Sequence, residues 1–208
     1  MTTPKADEER PLIDTGAENI LISYSEQDPS IEGKSLAELA ETNHVTPAEV
    51  VLDLVMKHGA SIYSIFIILF EMSEQDVETV LRHPLSMVAS DSLSPIGRPH
   101  PRAFGTFTRV LARYVREKQL LTLEDAVRKM TSMPASKMGL IDRGIIRLRN
   151  KADLAIFDQS TVKDMATFQN PTQYSEGIDY VLVNGKIAWE HNEQTSLRAG
   201  AVLKHSRK

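Results

Sequence analysis

Asp91, His100 and Arg102 are the side chains of this 208-residue chain whose types and spacing best suit chemistry. They lie in MVASDSLSPIGRPHPR, where an apolar run stops at Asp91 and a loop rich in glycine and proline follows. A carboxylate at the end of a buried barrel strand is delivered to the mouth of a pocket, where such folds hold their chemistry. A guanidinium on the next loop offers a planar fork that pairs with an anionic group of a substrate. Taken alone, Asp91 also fits a loop cap, because Asp favours such positions. Arg102 alone also fits a surface salt bridge. No metal-binding pattern precedes Asp91.

The six histidines are His44, His58, His83, His100, His191 and His205, none of them in a His-x-His pair, and there is no cysteine. His44 stands before a helix cap, His58 at a helix end, and His191 and His205 in the tail, so these four read as surface residues. His83 precedes Pro84 and marks a turn. Asp91 could join a metal site only with ligands from outside this chain, since zinc ordinarily takes three or four protein ligands. Met72, Met130, Met133 and Met138 read as packing residues, and Asp153 and Asp158 as turn residues beside a strand.

Composition narrows the function further. A net charge of −4 argues against a protein that binds nucleic acid by neutralising phosphates. The local cluster Arg109, Arg113, Arg116 and Lys118 reads as a solvated helix face. The most apolar run, Ile62 to Phe70, falls well short of the roughly twenty residues that span a bilayer. The polar start, MTTPKADEERP, lacks the apolar core of a signal peptide. The missing cysteine fits the cytoplasm.

The elements that must position Asp91 follow from local signals. Asn19 to Tyr24 suits a short strand. Ser35 to Glu38 and Thr46 to Glu49 are capping boxes, the second with Pro47 at the first helical position. The helix that Thr46 opens should turn Val50, Val51, Leu54 and Val55 to one face and end at Gly59. SIYSIFIILF is β-branched and apolar on both faces, as in a parallel strand covered on both sides. Ser73 should cap a helix carrying Val77, Val80 and Leu81, stopped by Pro84, and Leu85 to Ala89 a second strand leading into Asp91. Helices alternating with strands imply parallel pairing and an α/β architecture. Phe107, Val110, Leu111, Tyr114 and Val115 follow helical spacing. Thr122 and Asp125 open a further helix with Leu123, Ala126, Val127 and Met130 inward. Past Pro134 the pattern turns to strands: Lys151 to Asp158, a long loop from Ser160 to Glu176, then Ile178 to Val183 joined to Lys186 to Glu190 through an Asn184-Gly185 hairpin turn.

Several stretches taken together resemble the C-terminal part of the amidohydrolase superfamily, and most closely its N-acyl-D-amino-acid deacylases, or D-aminoacylases. They are Gly33-Lys-Ser-Leu36, Ser90-Asp91, His100-Pro-Arg102 with Phe104-Gly-Thr-Phe107, Arg109-Val-Leu111, Thr131-Ser-Met-Pro-Ala135, Asp142-Arg-Gly144, Ala152-Asp-Leu154 with Phe157-Asp158, and Val181-Leu-Val-Asn-Gly185. The match runs from about residue 31 to 204. One local departure is Leu148-Arg149-Asn150, where the family usually has a Pro-Gly-type turn. A position with φ > 0 there prefers Gly, although Asn can adopt it.

The resemblance implies the C-terminal part of a (β/α)8 barrel, with chemistry at the strand ends, followed by strands of a small β-sandwich. Residues 1–30 would be a polar lead-in with a possible short strand, 31–144 a partial barrel, and 145–208 the β-sandwich segment and tail. The strands at Ile62 to Phe70 and Leu85 to Ala89 would be the last two of the barrel. Asp91 would be the catalytic aspartate, Arg102 the partner of the substrate carboxylate, with His100 beside it in substrate binding. Zinc would lower the pKa of a bound water. The reaction implied is hydrolysis of an N-acyl-D-amino acid to a carboxylate and a free D-amino acid. Because the family's early ligands have no counterpart here, the chain is expected to be a fragment inactive alone, a partner of a separately encoded N-terminal barrel half, or a non-catalytic accessory subunit or relic binding module of the same fold. A cyclic-amide hydrolase is a weaker rival.

Overall fold

The computed structural model describes residues 11–59, 61, 63–93 and 95–203. The first ten residues of the expected lead-in, Ile62 and His205 lie outside the described residues. The chain forms two compact units. One comprises the chain up to Ser73 with Ser92–Pro101 and Thr167–Thr172; the other comprises Glu74–Asp91, Arg102–Ala166 and the chain from Gln173 onward.

In the first unit, β1 (Ile20–Ser25) pairs with β2 (Ile65–Leu69), with Ile20 opposite Leu69 and Ser25 opposite Ile65. The pairing is antiparallel, where alternation had suggested parallel strands. Two helices lie between the strands, α1 (Leu36–Asn43) and α2 (Pro47–His58). A single helix returns the chain to the end where a strand began, as parallel pairing needs. Two helices in succession carry it out and back, so β2 starts where β1 finished. Both capping boxes form: Ser35 Oγ accepts from Glu38 N at 3.2 Å, and Thr46 Oγ1 from Glu49 N at 3.3 Å. Gly59 closes α2 at φ 62°. Ile20, Ile22, Leu36, Leu39, Ala40 and Val50 form the core. Of the expected α2 face, Val50 is buried, Val51 and Leu54 pack partly against the core, and Val55 is exposed. On β2, Ile68 is buried, Ile65 and Leu69 pack partly against the core, and Ile67 is 48% exposed.

The second unit holds α3 (Glu74–Arg82), α4 (Arg102–Arg109), α5 (Leu123–Met130), α6 (Ser132–Lys137) and an antiparallel sheet. α4 runs on as a π-helical stretch, Val110–Glu117. It ends with Lys118 N donating to Arg113 O at 2.8 Å, an i to i−5 bond. Leu81, Val110, Tyr114, Val115, Leu121 and Ala126 make the core, and the apolar helical spacing anticipated most of them. The face of α5 is not as expected. Val127 is exposed, and Lys129 takes a fully buried place. Val80, Met72 and Met138 are likewise exposed rather than packed. Leu85 to Ala89 is not a strand. Among the described residues of this unit no strand runs beside it, and a strand exists only through ladder partners. Val88 N instead donates to Lys129 O at 3.2 Å.

The three strands and the hairpin turn anticipated past Pro134 form. β3 (Leu154–Phe157), β4 (Ile178–Val183), β5 (Lys186–Glu190) and a short β6 (Glu193–Gln194) make an antiparallel sheet in that order. Asn184 and Gly185 both take positive φ, 49° and 78°, as a type I′ hairpin requires. The turn before β3 places its positive φ, 75°, on Arg149 rather than on Asn150.

Candidate active site

Asp91 and Arg102 meet. Arg102 opens α4, and its Nη2 lies 3.0 Å from Asp91 Oδ2. Asp91 takes a left-handed backbone, φ 47°, a region in which Asp is enriched among non-glycine residues. The turn swings the carboxylate outward, 85% exposed against 40% for the Arg102 side chain. An ion pair so open to water is worth about 0–1 kcal/mol. Either group therefore gives up the other easily for a stronger ligand. The arrangement offers a carboxylate that can take up a proton and a guanidinium that can turn to an anion.

His100 belongs to the first unit. Its ring packs edge-on against Phe168 at 5.0 Å between centroids, and Phe168 in turn meets Phe70 at 4.7 Å. The loop before it is tied to β1. Arg98 N donates to Ser23 O at 2.7 Å, and Gly97, at φ 60°, sits so close that a Cβ would lie 2.6 Å from that carbonyl. Arg98 Nη2 donates to Gln169 O at 2.7 Å. Arg98 was not singled out from the sequence; its signal is the Gly-Arg-Pro triplet.

The remaining described histidines do not converge. Among the described residues no three His, Asp or Glu side chains are grouped so as to hold a metal ion. His58 is not a surface residue. It is buried, with Nε2 3.2 Å from Ser25 Oγ, because the last turn of α2 faces the end of β1. His44 takes a left-handed backbone at the end of α1, and His191 Nδ1 stands 3.8 Å from Glu190.

The basic cluster is bonded within its own unit. Arg113 Nε and Lys118 Nζ reach Glu74 Oε1 at 3.0 and 2.9 Å, Lys118 also bonds Glu78, and Arg109 meets Asp164 at 3.0 Å. Arg116 donates to the carbonyls of Gln159 and Val162 at 3.0 and 2.7 Å. Burial pushes the Glu74 carboxyl up, but the hydrogen bonds and charges of Lys118 and Arg113 outweigh it and hold the pKa at about 2. The bonds with Glu78 and then Glu74 raise Lys118, and the bond with Glu74 raises Arg113. No helix among the described residues is long and apolar enough to cross a membrane.

A mixed helix-and-strand chain with a carboxylate and a guanidinium joined at a helix start matches one class of fold closely. Its solved relatives are amidohydrolases. A D-aminoacylase, solved in a study of that enzyme's binuclear metal centre, superposes with a TM-score of 0.80 at 40% identity, over 87% of this chain and 36% of its own. The N-acyl-D-glutamate deacylase of Bordetella bronchiseptica, solved with zinc and a phosphonate mimic of the tetrahedral intermediate, superposes at 0.79 with 38% identity, over 88% of this chain and 37% of its own. The N-acyl-D-glutamate deacylase of Alcaligenes xylosoxydans xylosoxydans is 44% identical over 190 residues, 90% of this chain and 36% of the relative. The model of the amidohydrolase family matches residues 26–188, and the chain belongs to that family. It spans just over a third of the length of the relatives it matches.

Proposed function

We propose that this chain is the Asp91-bearing part of a metal-dependent amidohydrolase that cleaves N-acyl-D-amino acids into a carboxylate and a free D-amino acid. The ion pair of Asp91 with Arg102 carries the proposal, in a chain 38–44% identical to deacylases of such substrates. Asp91 takes up a proton at Oδ2 during attack and returns it to the leaving amine. Arg102 leaves Asp91 to pair with the substrate carboxylate, and His100 serves substrate binding. Residues 31–144 would be barrel and 145–208 β-sandwich and tail, in a cytoplasmic enzyme. Zinc would be the metal. The described residues do not fit it unaided, since Asp91 supplies at most one of the three or four ligands needed. The other ligands would come from barrel strands outside these 208 residues, whether in one polypeptide or in a separate half. In the assembled enzyme, Asp91→Asn should lower kcat by roughly 100- to 10,000-fold. Full activity in that variant would remove the catalytic role.

A second reading rests on the absence of any His-x-His pair in the sequence. On it, the chain is an accessory or relic module that keeps the fold without the chemistry. Co-expression with an N-terminal amidohydrolase half separates the two. Bound zinc with turnover supports the enzyme; a stable complex with neither supports the module.

A further inference from the structure

Lys129 lies in the last turn of α5 with its side chain wholly removed from solvent. A buried ammonium is costly unless its protons are bonded and its charge is met. Here Nζ donates to the carbonyl of His83, to Ser86 Oγ at 3.0 Å and to Ser86 O at 3.3 Å, with an Asp125 carboxylate oxygen 4.0 Å away. These three acceptors belong to the turn that follows α3 and leads to Asp91. The residues around Lys129 grip the same segment. The Lys129 carbonyl accepts from Val88 N at 3.2 Å. Arg128 Nη2 donates to Pro84 O at 3.1 Å and is held by Asp125 Oδ1 at 2.9 Å. The end of α5 thus does for residues 83–88 what a sheet ladder would do for a strand. Packing alone would be served at less cost by a methionine of similar length. The choice of a lysine points to the bonds it makes.

We propose that Lys129 is a positioning residue for Asp91: its ammonium gathers the His83–Ser86 turn so that the carboxylate beyond Val88 reaches Arg102 in one geometry. This rests on the reading of Asp91 as the catalytic carboxylate. The test uses the enzyme assembled from this chain and the rest of its barrel. Lys129→Met should lower kcat at least tenfold and leave KM within twofold. Lys129→Cys, alkylated in denaturant with 2-bromoethylamine and refolded, restores an ammonium and should recover at least half of the loss; the chain has no other thiol. Ser86→Ala, a milder change, should lower kcat by about threefold in the same direction. Combined with Asp91→Asn, Lys129→Met should have no further effect on kcat. An unchanged kcat, a loss of the same size in the Asp91→Asn background, or no recovery on alkylation overturns the proposal.

A second measurement needs no activity. In the 208-residue chain, Lys129→Met, or Ser86→Ala should Lys129→Met fail to fold, should speed hydrogen exchange at Val88 to Asp91 at least threefold and leave α2 unchanged. Unchanged exchange there overturns the clamp whatever the assays give. Full activity of Asp91→Asn overturns the catalytic reading alone.

Discussion

Arg149 holds a backbone conformation, φ 75°, that a side chain with a Cβ adopts at a cost of about 1–2 kcal/mol. It is exposed, and the turn it closes sets the start of β3. Arg149→Gly should stabilise the chain by about 1 kcal/mol, the relieved strain exceeding the entropy a glycine adds to the unfolded state. Urea unfolding should show a higher midpoint with an unchanged slope; a lower midpoint would mean that the Arg149 side chain makes a contact worth more than the strain. Arg102 carries a second expectation at this scale. Lysine keeps the charge but not the fork, so Arg102→Lys should raise KM for an N-acyl-D-amino acid about tenfold and change kcat little. A fall in kcat at constant KM would place Arg102 with the proton transfer instead. Asp91 and Arg102 were legible in the sequence as candidates, one at the end of an apolar run and one in the His-Pro-Arg loop after it, and the structure brings their side chains together. Lys129, Glu74 and His58 were not. Their roles come from partners 33 to 46 residues away, and no local spacing announces them.

Elements show the same division. The capping boxes at Ser35 and Thr46 and the Asn184-Gly185 turn formed as expected, because each is complete within four residues. Thr46→Ala should cost about 1 kcal/mol of stability, read as a lower urea midpoint. The direction of β2 and the fate of Leu85 to Ala89 depend on which neighbour each segment finds, so hydrophobicity alone misjudged both. The start of α3 and the π-helical stretch are joined by Glu74, whose carboxyl is held at about 2 against an ordinary 4.5. A lowered carboxyl stabilises the fold above its unfolded value, and that contribution is lost as pH falls from about 4.5 through about 2. Glu74→Gln should therefore flatten the stability profile in that window and lower stability modestly at neutral pH, since the pair is partly exposed and screened by salt. Parallel acid limbs in the wild-type and Glu74→Gln chains would show that the bonds do not persist in solution.

On the scale of the whole molecule, each unit turns apolar side chains to water. In the first, Leu52, Met56, Tyr63 and Met72 are exposed, and in the second Ile141, Ile146 and Leu148. Ile146 and Leu148 alternate within one short segment, each 89% exposed. Single apolar residues at a surface are ordinary, but a row of them marks a face that favours association. The isolated chain should therefore self-associate, with an average mass in sedimentation velocity that rises with loading. Ile146→Lys with Leu148→Lys should weaken the association without lowering the unfolding midpoint, because neither side chain is buried in its own unit. A chain that stays monomeric at every loading and unfolds in one cooperative transition would show that these faces are tolerated as they stand. A paired variant that associates as strongly as the wild type would place the contact on the first unit, where Leu52→Lys with Met56→Lys makes the corresponding test on α2.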